Sequence, residues 1–203
     1  MISQHKSART RRGALTAEWA MSLYVLFFFF ALPLLDYGVL GLRAFFLWFA
    51  CNQAAMGGSK AHTLVNPITI GGQVFYGGLS IAYTRALQVK NAFGGISWNN
   101  AMYPKIWIEF VPFPDAVGSS PPSIPPVGPL TYVSGTTKSP VASVPNSSLY
   151  LCEFSVVIVG TIQPFIPIPF LSFGASTVPG LSGPMNMAVQ SQAQFENPPG
   201  LVE

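Results

Sequence analysis

Among the ionisable residues of this sequence, Glu18 has an unusually unfavourable position, because its carboxylate directly precedes a long apolar run. It lies in the stretch RRGALTAEW, residues 11–19, and the 17 residues from Trp19 to Leu35 are all uncharged. A carboxylate at the interface between water and lipid costs about 1–3 kcal/mol, so an unpaired one should be rare. We therefore expect Glu18 either to pair with a cation or to reach the lipid headgroups as an acid near the helix start, where the helix dipole stabilises negative charge.

Other side chains that could do chemistry are few and poorly grouped. Histidine occurs only at His5 and His62, which argues against a histidine-based metal cluster or catalytic triad. The acids between position 43 and the last residue are Glu109, Asp115, Glu153 and Glu196. Their spacing predicts no catalytic pair, although folding could bring two of them together. The glycine-rich stretches lack the Lys-Ser or Lys-Thr of a phosphate-binding loop. We expect no enzymatic activity, no cofactor and no metal site.

The two cysteines, Cys51 and Cys152, leave two interpretations open. In an oxidising compartment they could form a disulfide, closing a loop of about 100 residues and contributing about 4 kcal/mol in the chain-entropy model. Alternatively, Cys51 is a packing residue, because it stands among apolar and small neighbours where a free thiol behaves as a small hydrophobe. Neither cysteine is expected to be catalytic.

Charge is scarce and is concentrated at the N-terminus. Only 8% of the residues are charged and 50% are hydrophobic, which is typical of contact with a membrane or an assembly. Four of the ten basic residues precede Gly13, so the remaining six bases face seven acids and the rest of the chain carries a net charge of −1. Nucleic-acid binding needs clustered bases, and we therefore exclude it.

The apolar run must position Glu18, and it predicts one membrane-crossing helix. The uncharged run and its flanks correspond to about 30 Å of helix, the thickness of a bilayer core. The basic residues 1–13 are typical of the cytoplasmic side of such a segment. The apolar core is too long and too aromatic for an ordinary secretory signal, and no small-residue cleavage site follows it closely. Most of the chain should therefore lie outside the cytoplasm.

The same helix should continue well beyond the apolar run. Pro33 cannot donate a backbone hydrogen bond, so we expect a kink or a loosened turn near it. Asp36 and Arg43 are seven residues apart, about two turns, and should share a helix face. The apolar pattern runs to Gly57 and Gly58, which predict the helix end.

Beyond residue 62 the pattern predicts a small α+β domain. Residues 66–78 are glycine-rich and indicate a loop or short strand, and residues 79–93 have near-helical apolar spacing. The predicted strands cover residues 105–113 and 149–162. The proline-rich residues 112–146 cannot form a central strand and predict an exposed loop. The apolar segment with Pro164, Pro167 and Pro169 should lie at the domain edge.

The opening residues resemble type IV prepilins. Those proteins have a basic leader that ends in glycine, followed by a hydrophobic helix with glutamate as its fifth mature residue. Counted from Ala14, directly after Gly13, Glu18 is the fifth residue. Trp19 stands where tight-adherence (Flp-type) prepilins usually have tyrosine or phenylalanine. Because about 140 residues follow the helix, the chain resembles the TadE-like minor pilins rather than the short major subunit.

The likeness to TadE-like proteins continues more loosely along the chain. The stretch FACNQAAMGGSKAHT takes the place of the family's Ala, Gln, Asn and Gly residues that close the long helix. An arginine often found there has no clear counterpart, although Lys60 could substitute for it. The family's valine-rich strand, proline-punctuated apolar stretch and last strand near a glutamate have counterparts here. They resemble residues 149–162, the following stretch with its three prolines, and residues 185–199 with Glu196, which the resemblance implies to be a strand.

The resemblance implies how the chain is processed and what it binds. A prepilin peptidase would cut after Gly13, and the new amino group of Ala14 would pair with Glu18 of an adjacent subunit while the helices bundle, with Trp19 beside it. The partners would be other pilin subunits, the pilus assembly machinery, the peptidase and the membrane.

The resemblance also implies three segments and a location. Residues 1–13 would be a basic prepilin-type leader, residues 14–62 the membrane anchor and assembly helix, and residues 63–203 an extracytoplasmic α+β domain with an antiparallel sheet. The chain would cross the bacterial inner membrane once with its N-terminus in the cytoplasm, and would become extracellular once built into a pilus.

Two other functions stay open at this point. The chain could be an unprocessed single-pass membrane protein whose external domain binds a partner or acts as a scaffold. It could also be a membrane-tethered enzyme, which would require an acidic pair that only the fold can reveal.

Overall fold

The computed structural model describes residues 16–113, 122–134, 138–167 and 180–202. The chain divides into two compact units. The first combines Met1–Gly41 with Pro164–Pro184, and the second combines Leu42–Gln163 with Met185–Glu203. The expected α+β class is confirmed, because one long N-terminal apolar helix is followed by a small antiparallel sheet domain. The predicted leader, including Gly13 and Ala14, lies outside the described residues.

The long helix, α1, spans Thr16–Ser59 and contains 44 residues. It has a π-helical turn at Phe27–Ala31, directly before Pro33, where the N–H of Leu32 donates to the carbonyl of Phe27. Pro33 has no N–H for the carbonyl four residues earlier, so the wider turn moves the hydrogen-bonding pattern past the proline. The expected loosened turn is therefore present. The helix ends next to the glycine pair that predicted its end.

The second unit holds a hairpin, a short helix and a sheet. The hairpin strands are β1 (Ile68–Ile70) and β2 (Gln73–Phe75), and the short helix α2 is Gly78–Ala92. The sheet strands are β3 (Ile96–Ser97), β4 (Lys105–Pro112), β5 (Val127–Leu130), β6 (Tyr150–Ile162) and β7 (Met185–Gln194). All pairings are antiparallel, in the order β3-β6-β4-β5, with β7 also paired to β6. A 3₁₀ turn at Pro198–Leu201 follows β7.

Strand β6 lies at the centre of the sheet, where it pairs with β3, β4 and β7, and its side chains alternate between the two sheet faces. The even-numbered residues from Tyr150 to Ile162 are buried, and the odd-numbered ones, apart from the buried Ser155, are half-buried. The inner face meets α1, where Cys51 donates to the carbonyl of Val156 and Leu47 occupies the space above Gly160. The proline-rich region contributes β5, whose one partner among the described strands is β4, so its prolines do not interrupt a central strand.

The end of α1 and the start of α2 approach each other closely at a glycine in each helix, Gly58 and Gly78. A Cβ atom added at Gly58 would lie 3.1 Å from the carbonyl oxygen of Gly78, and one added at Gly78 would lie 2.8 Å from the carbonyl oxygen of Gly58. Only glycine permits this backbone approach. The start of α2 therefore lies directly against the end of α1, which itself packs on the sheet, since Gly58 also faces Phe154 of β6.

Candidate assembly site on the long helix

The first 20 described residues of α1 have no buried member. Residues 16–35 are exposed or half-buried throughout, and their exposed large side chains are almost entirely apolar. Twenty helical residues span about 30 Å, which matches the hydrocarbon core of a bilayer. The helix is long and apolar enough to cross a membrane, and only 11% of its most apolar window is buried. A core helix of a soluble domain would instead be mostly covered.

Glu18 and Trp19 lie on this uncovered part of α1. Both are exposed, and 67% of Trp19 is accessible. Glu18 makes no hydrogen bond or ion pair with another residue of the described ranges. The structure therefore places the predicted assembly residues on an accessible surface. The residues at the predicted cleavage position, Gly13 and Ala14, lie outside what the structure describes.

Asp36 is the first buried residue of α1, with only 1% of its surface accessible. Its Oδ1 accepts hydrogen bonds from the backbone N–H of Phe165 at 2.6 Å and of Ile166 at 3.4 Å. Its Oδ2 is buried without a hydrogen-bond partner among the described residues. The sequence indicated that Asp36 lies on a helix face shared with Arg43, but it did not reveal this partner 129 residues away. The only local signal was the proline on each side of the two N–H groups, Pro164 and Pro167.

Arg43 belongs to the second unit and is bound by other residues of that unit. Its guanidinium donates to the carbonyl of Gln163, directly after β6, and packs against Gly95. Gly95 has a φ of +82°, a left-handed conformation that favours glycine, and a side chain there would overlap the guanidinium. Arg43, the third charged residue of α1 after Glu18 and Asp36, therefore has a defined hydrogen-bond partner within the chain.

The two cysteines are buried free thiols in the structure. Cys51 donates to the carbonyl of Val156 at 3.0 Å, and Cys152 lies four residues earlier on the same strand. Four strand residues span about 13 Å, whereas a disulfide needs its Cα atoms within about 7 Å. The structure does not bring the two thiols together. Burial, with a smaller contribution from Glu153, raises the pKa of the Cys152 thiol to about 12.

The fold does bring two carboxylates together. Glu109 on β4 lies directly opposite Glu153 on β6, and the Nε2 of Gln192 on β7 donates to Glu109 at 3.2 Å. Directly opposed side chains in an antiparallel pair have Cβ atoms about 5 Å apart. The pair lies on the outer sheet face, where the neighbouring side chains of β7, including Gln190 and Gln192, are exposed. This is a solvated setting, unlike the enclosed sites in which paired carboxylates act as acid and base.

Comparisons of the chain with models of protein families, with characterised proteins and with solved structures give no match. The candidate function must therefore be argued from the residues and their geometry. The features that bear on it are an uncovered apolar helix of bilayer length, an accessible carboxylate near its start, and a small sheet domain attached to its far end.

Proposed function

We propose that this chain is a TadE-like minor pilin or pseudopilin. It is made with a basic leader, crosses the inner membrane once, is cut by a prepilin peptidase after Gly13, and takes part in assembling a tight-adherence pilus. The observation that carries the proposal is the accessible Glu18, which has no partner among residues 16–113, 122–134, 138–167 and 180–202, at the start of an uncovered helix. The role is structural, and the opposed Glu109 and Glu153 are sheet residues in it rather than catalytic groups.

Electrostatics gives Glu18 its role in this proposal. Cleavage after Gly13 creates an amino group at Ala14, a cation on the first turn of a neighbouring helix. Opposite charges 4 Å apart attract by about 4 kcal/mol at an effective dielectric constant near 20. That attraction exceeds the cost of about 1–3 kcal/mol for a carboxylate at the interface. Pairing between subunits therefore makes helix bundling favourable at the point where the single chain offers no described partner.

The uncovered surface of residues 16–35 supports the same proposal. In the membrane this surface contacts lipid, and in a fibre it contacts the equivalent helices of neighbouring subunits. Both environments accept the exposed apolar side chains, which water does not. An unprocessed single-pass scaffold protein would use the helix in the first environment only, so processing is what distinguishes the two functions.

The decisive experiment is identification of the mature N-terminus. The full chain is expressed in bacterial membranes with an active prepilin peptidase or with an inactive variant of it, and its N-terminal peptide is identified by mass spectrometry. We expect Ala14 as the first residue only with the active enzyme. A chain that retains Met1 in both membranes contradicts the proposal and favours the unprocessed scaffold.

A second measurement tests Glu18 directly. Glu18→Ala should abolish incorporation into sheared pili while the processed protein still accumulates in the membrane. Ser22→Ala, an exposed polar position one turn further along the same helix, is the matched control and should be incorporated normally. Equal incorporation of the two variants contradicts the electrostatic role of Glu18.

A further inference from the structure

The first unit contains a second group of exposed apolar side chains besides the helix. Phe165 and Ile166 expose 56% and 40% of their surface, although both are large apolar residues. They belong to a segment, residues 163–184, that contains no charged residue. A segment of this composition outside the helix needs an environment other than water.

The backbone of residues 164–167 leaves no N–H group without a partner. Pro164 and Pro167 have no N–H group, and the N–H groups of Phe165 and Ile166 both donate to Asp36. Four consecutive residues therefore present no free backbone donor. In hydrocarbon an unsatisfied donor costs several kcal/mol, so the N–H side of this backbone adds no such cost next to lipid.

Asp36 also fixes the depth of the segment. It is the first buried residue after the 20 uncovered residues 16–35, which span about 30 Å of bilayer core. The carboxylate thus stands at the end of the span, at the level of the headgroups. Since Phe165 and Ile166 are bonded to this carboxylate, their side chains lie at the same level.

We propose that Phe165 and Ile166 insert into the lipid leaflet at the Asp36 end of the span. They form a second, interfacial membrane contact beside the transmembrane helix, and Asp36 is the residue that positions them. The occupant of this surface is lipid, because the surface is continuous with the lipid-facing helix and the backbone offers no donor to water or to a partner. The inference rests on the proposed membrane crossing but is independent of peptidase processing.

Fluorescence quenching in vesicles tests the contact. Single cysteines replace Phe165, Leu26 or Val74, each of which exposes 56% of its surface, and each is labelled with a polarity-sensitive fluorophore in the full chain. The unsubstituted chain, whose two cysteines are buried, gives the labelling background. The vesicles contain phosphatidylcholine and phosphatidylglycerol, with a doxyl quencher either near the headgroup or deep in the acyl chain. Aqueous iodide is the third quencher.

We expect the probe at Phe165→Cys to be quenched by the shallow doxyl lipid, the probe at Leu26→Cys by the deep one, and the probe at Val74→Cys by iodide alone. Quenching of Leu26→Cys by deep doxyl lipid together with quenching of Phe165→Cys by iodide alone overturns this inference and leaves the crossing intact. Quenching of Leu26→Cys by iodide alone overturns the crossing and with it this inference. A Phe165→Cys probe shielded from all three quenchers indicates a protein partner and also overturns the inference.

Substitution of Asp36 tests its positioning role. In the background of Phe165→Cys, Asp36→Ala removes the acceptor and should transfer the quenching from the shallow doxyl lipid to iodide. Asp36→Asn keeps an Oδ1 acceptor and should retain the shallow quenching. If Asp36→Ala leaves the quenching pattern unchanged, Asp36 does not hold the segment.

Discussion

The crossing of α1 and α2 offers a sharp test of how the sheet domain is packed. A Cβ atom added at Gly58 would lie 2.5 Å from Cε1 and 2.6 Å from Cζ of Phe154. Phe154 is fully buried and stacks on the buried Phe195, so its ring has little room to move. Gly58→Ala therefore forces the helix, the ring or the backbone of Gly78 to shift.

The magnitude follows from two opposing effects. Overpacking of a dense core costs about 1–3 kcal/mol, whereas glycine to alanine within a helix gains about 0.5–1 kcal/mol. We expect Gly58→Ala to lower the free energy of unfolding by about 1–2 kcal/mol. For a domain of this size that lowers the Tm by about 3–6 °C. The assay is the near-ultraviolet circular dichroism of the full chain in mild detergent, followed during heating.

Gly57→Ala is the matched control, one residue earlier on the same helix. Its added Cβ would lie 3.1 Å from the Cγ of Arg85 and the Cγ2 of Ile81, both of which belong to side chains that can shift slightly. The gain in helix propensity is the same at both positions, so Gly57→Ala should melt close to the unsubstituted protein. A Gly58→Ala protein that melts at or above Gly57→Ala would refute the packing described for this crossing.

Three further predictions concern the sheet and the helix that packs on it. Cys152 and Cys51 should both resist alkylation by iodoacetamide in the folded chain at pH 8, because both are buried free thiols. After unfolding without reductant both should be alkylated, and mass spectrometry counts the alkylated cysteines. If the two formed a disulfide, neither would be alkylated. Because the pKa of Cys152 is raised from 9.0 to about 12 by burial and by Glu153, the folded state retains its proton as the pH rises, and stability should fall above about pH 9. Glu153→Gln removes the repulsion with Glu109 and should raise the free energy of unfolding by about 0.2–1 kcal/mol in low salt, with a smaller gain in high salt; an unchanged Tm in low salt would contradict it.

Most of the helices and strands that were predicted correctly follow from short sequence patterns within each element. The alternation of residues 105–113 and the β-branched run of residues 149–162 predict strands because each has a face to bury. Both strands are present, at Lys105–Pro112 and Tyr150–Ile162. The helix predicted over residues 79–93 occurs at Gly78–Ala92. The glycine-rich residues 66–78 contain the β1–β2 hairpin, whose turn uses Gly71 and Gly72 at positive φ.

Long-range pairing could not be predicted in the same way. The register that sets Glu109 opposite Glu153 depends on how two strands far apart in the sequence slide against each other, and a slip of one residue would place the carboxylates on opposite faces. The hydrogen-bond partners of Asp36 could not be predicted either. They are backbone N–H groups, which nearly every residue has, so the types of the side chains do not identify them. The proline-rich segment after Gln163 was expected at the edge of the sheet domain, but Pro164–Pro184 group with the residues of the N-terminal helix.

The two carboxylates of the long helix differ in what the chain provides for them. Asp36 is buried, and its Oδ1 accepts hydrogen bonds from two backbone N–H groups of a segment about 129 residues further along the chain. These hydrogen bonds offset part of the cost of burying a carboxyl group. Glu18 is accessible and receives no partner from the described residues, although it stands at the start of the same apolar surface. The chain gives the Oδ1 of Asp36 two backbone donors, whereas its described residues give Glu18 none. This difference supports the view that the partner of Glu18 comes from outside the folded subunit. The amino group produced at Ala14 of a neighbouring subunit is the cation that the proposed processing supplies.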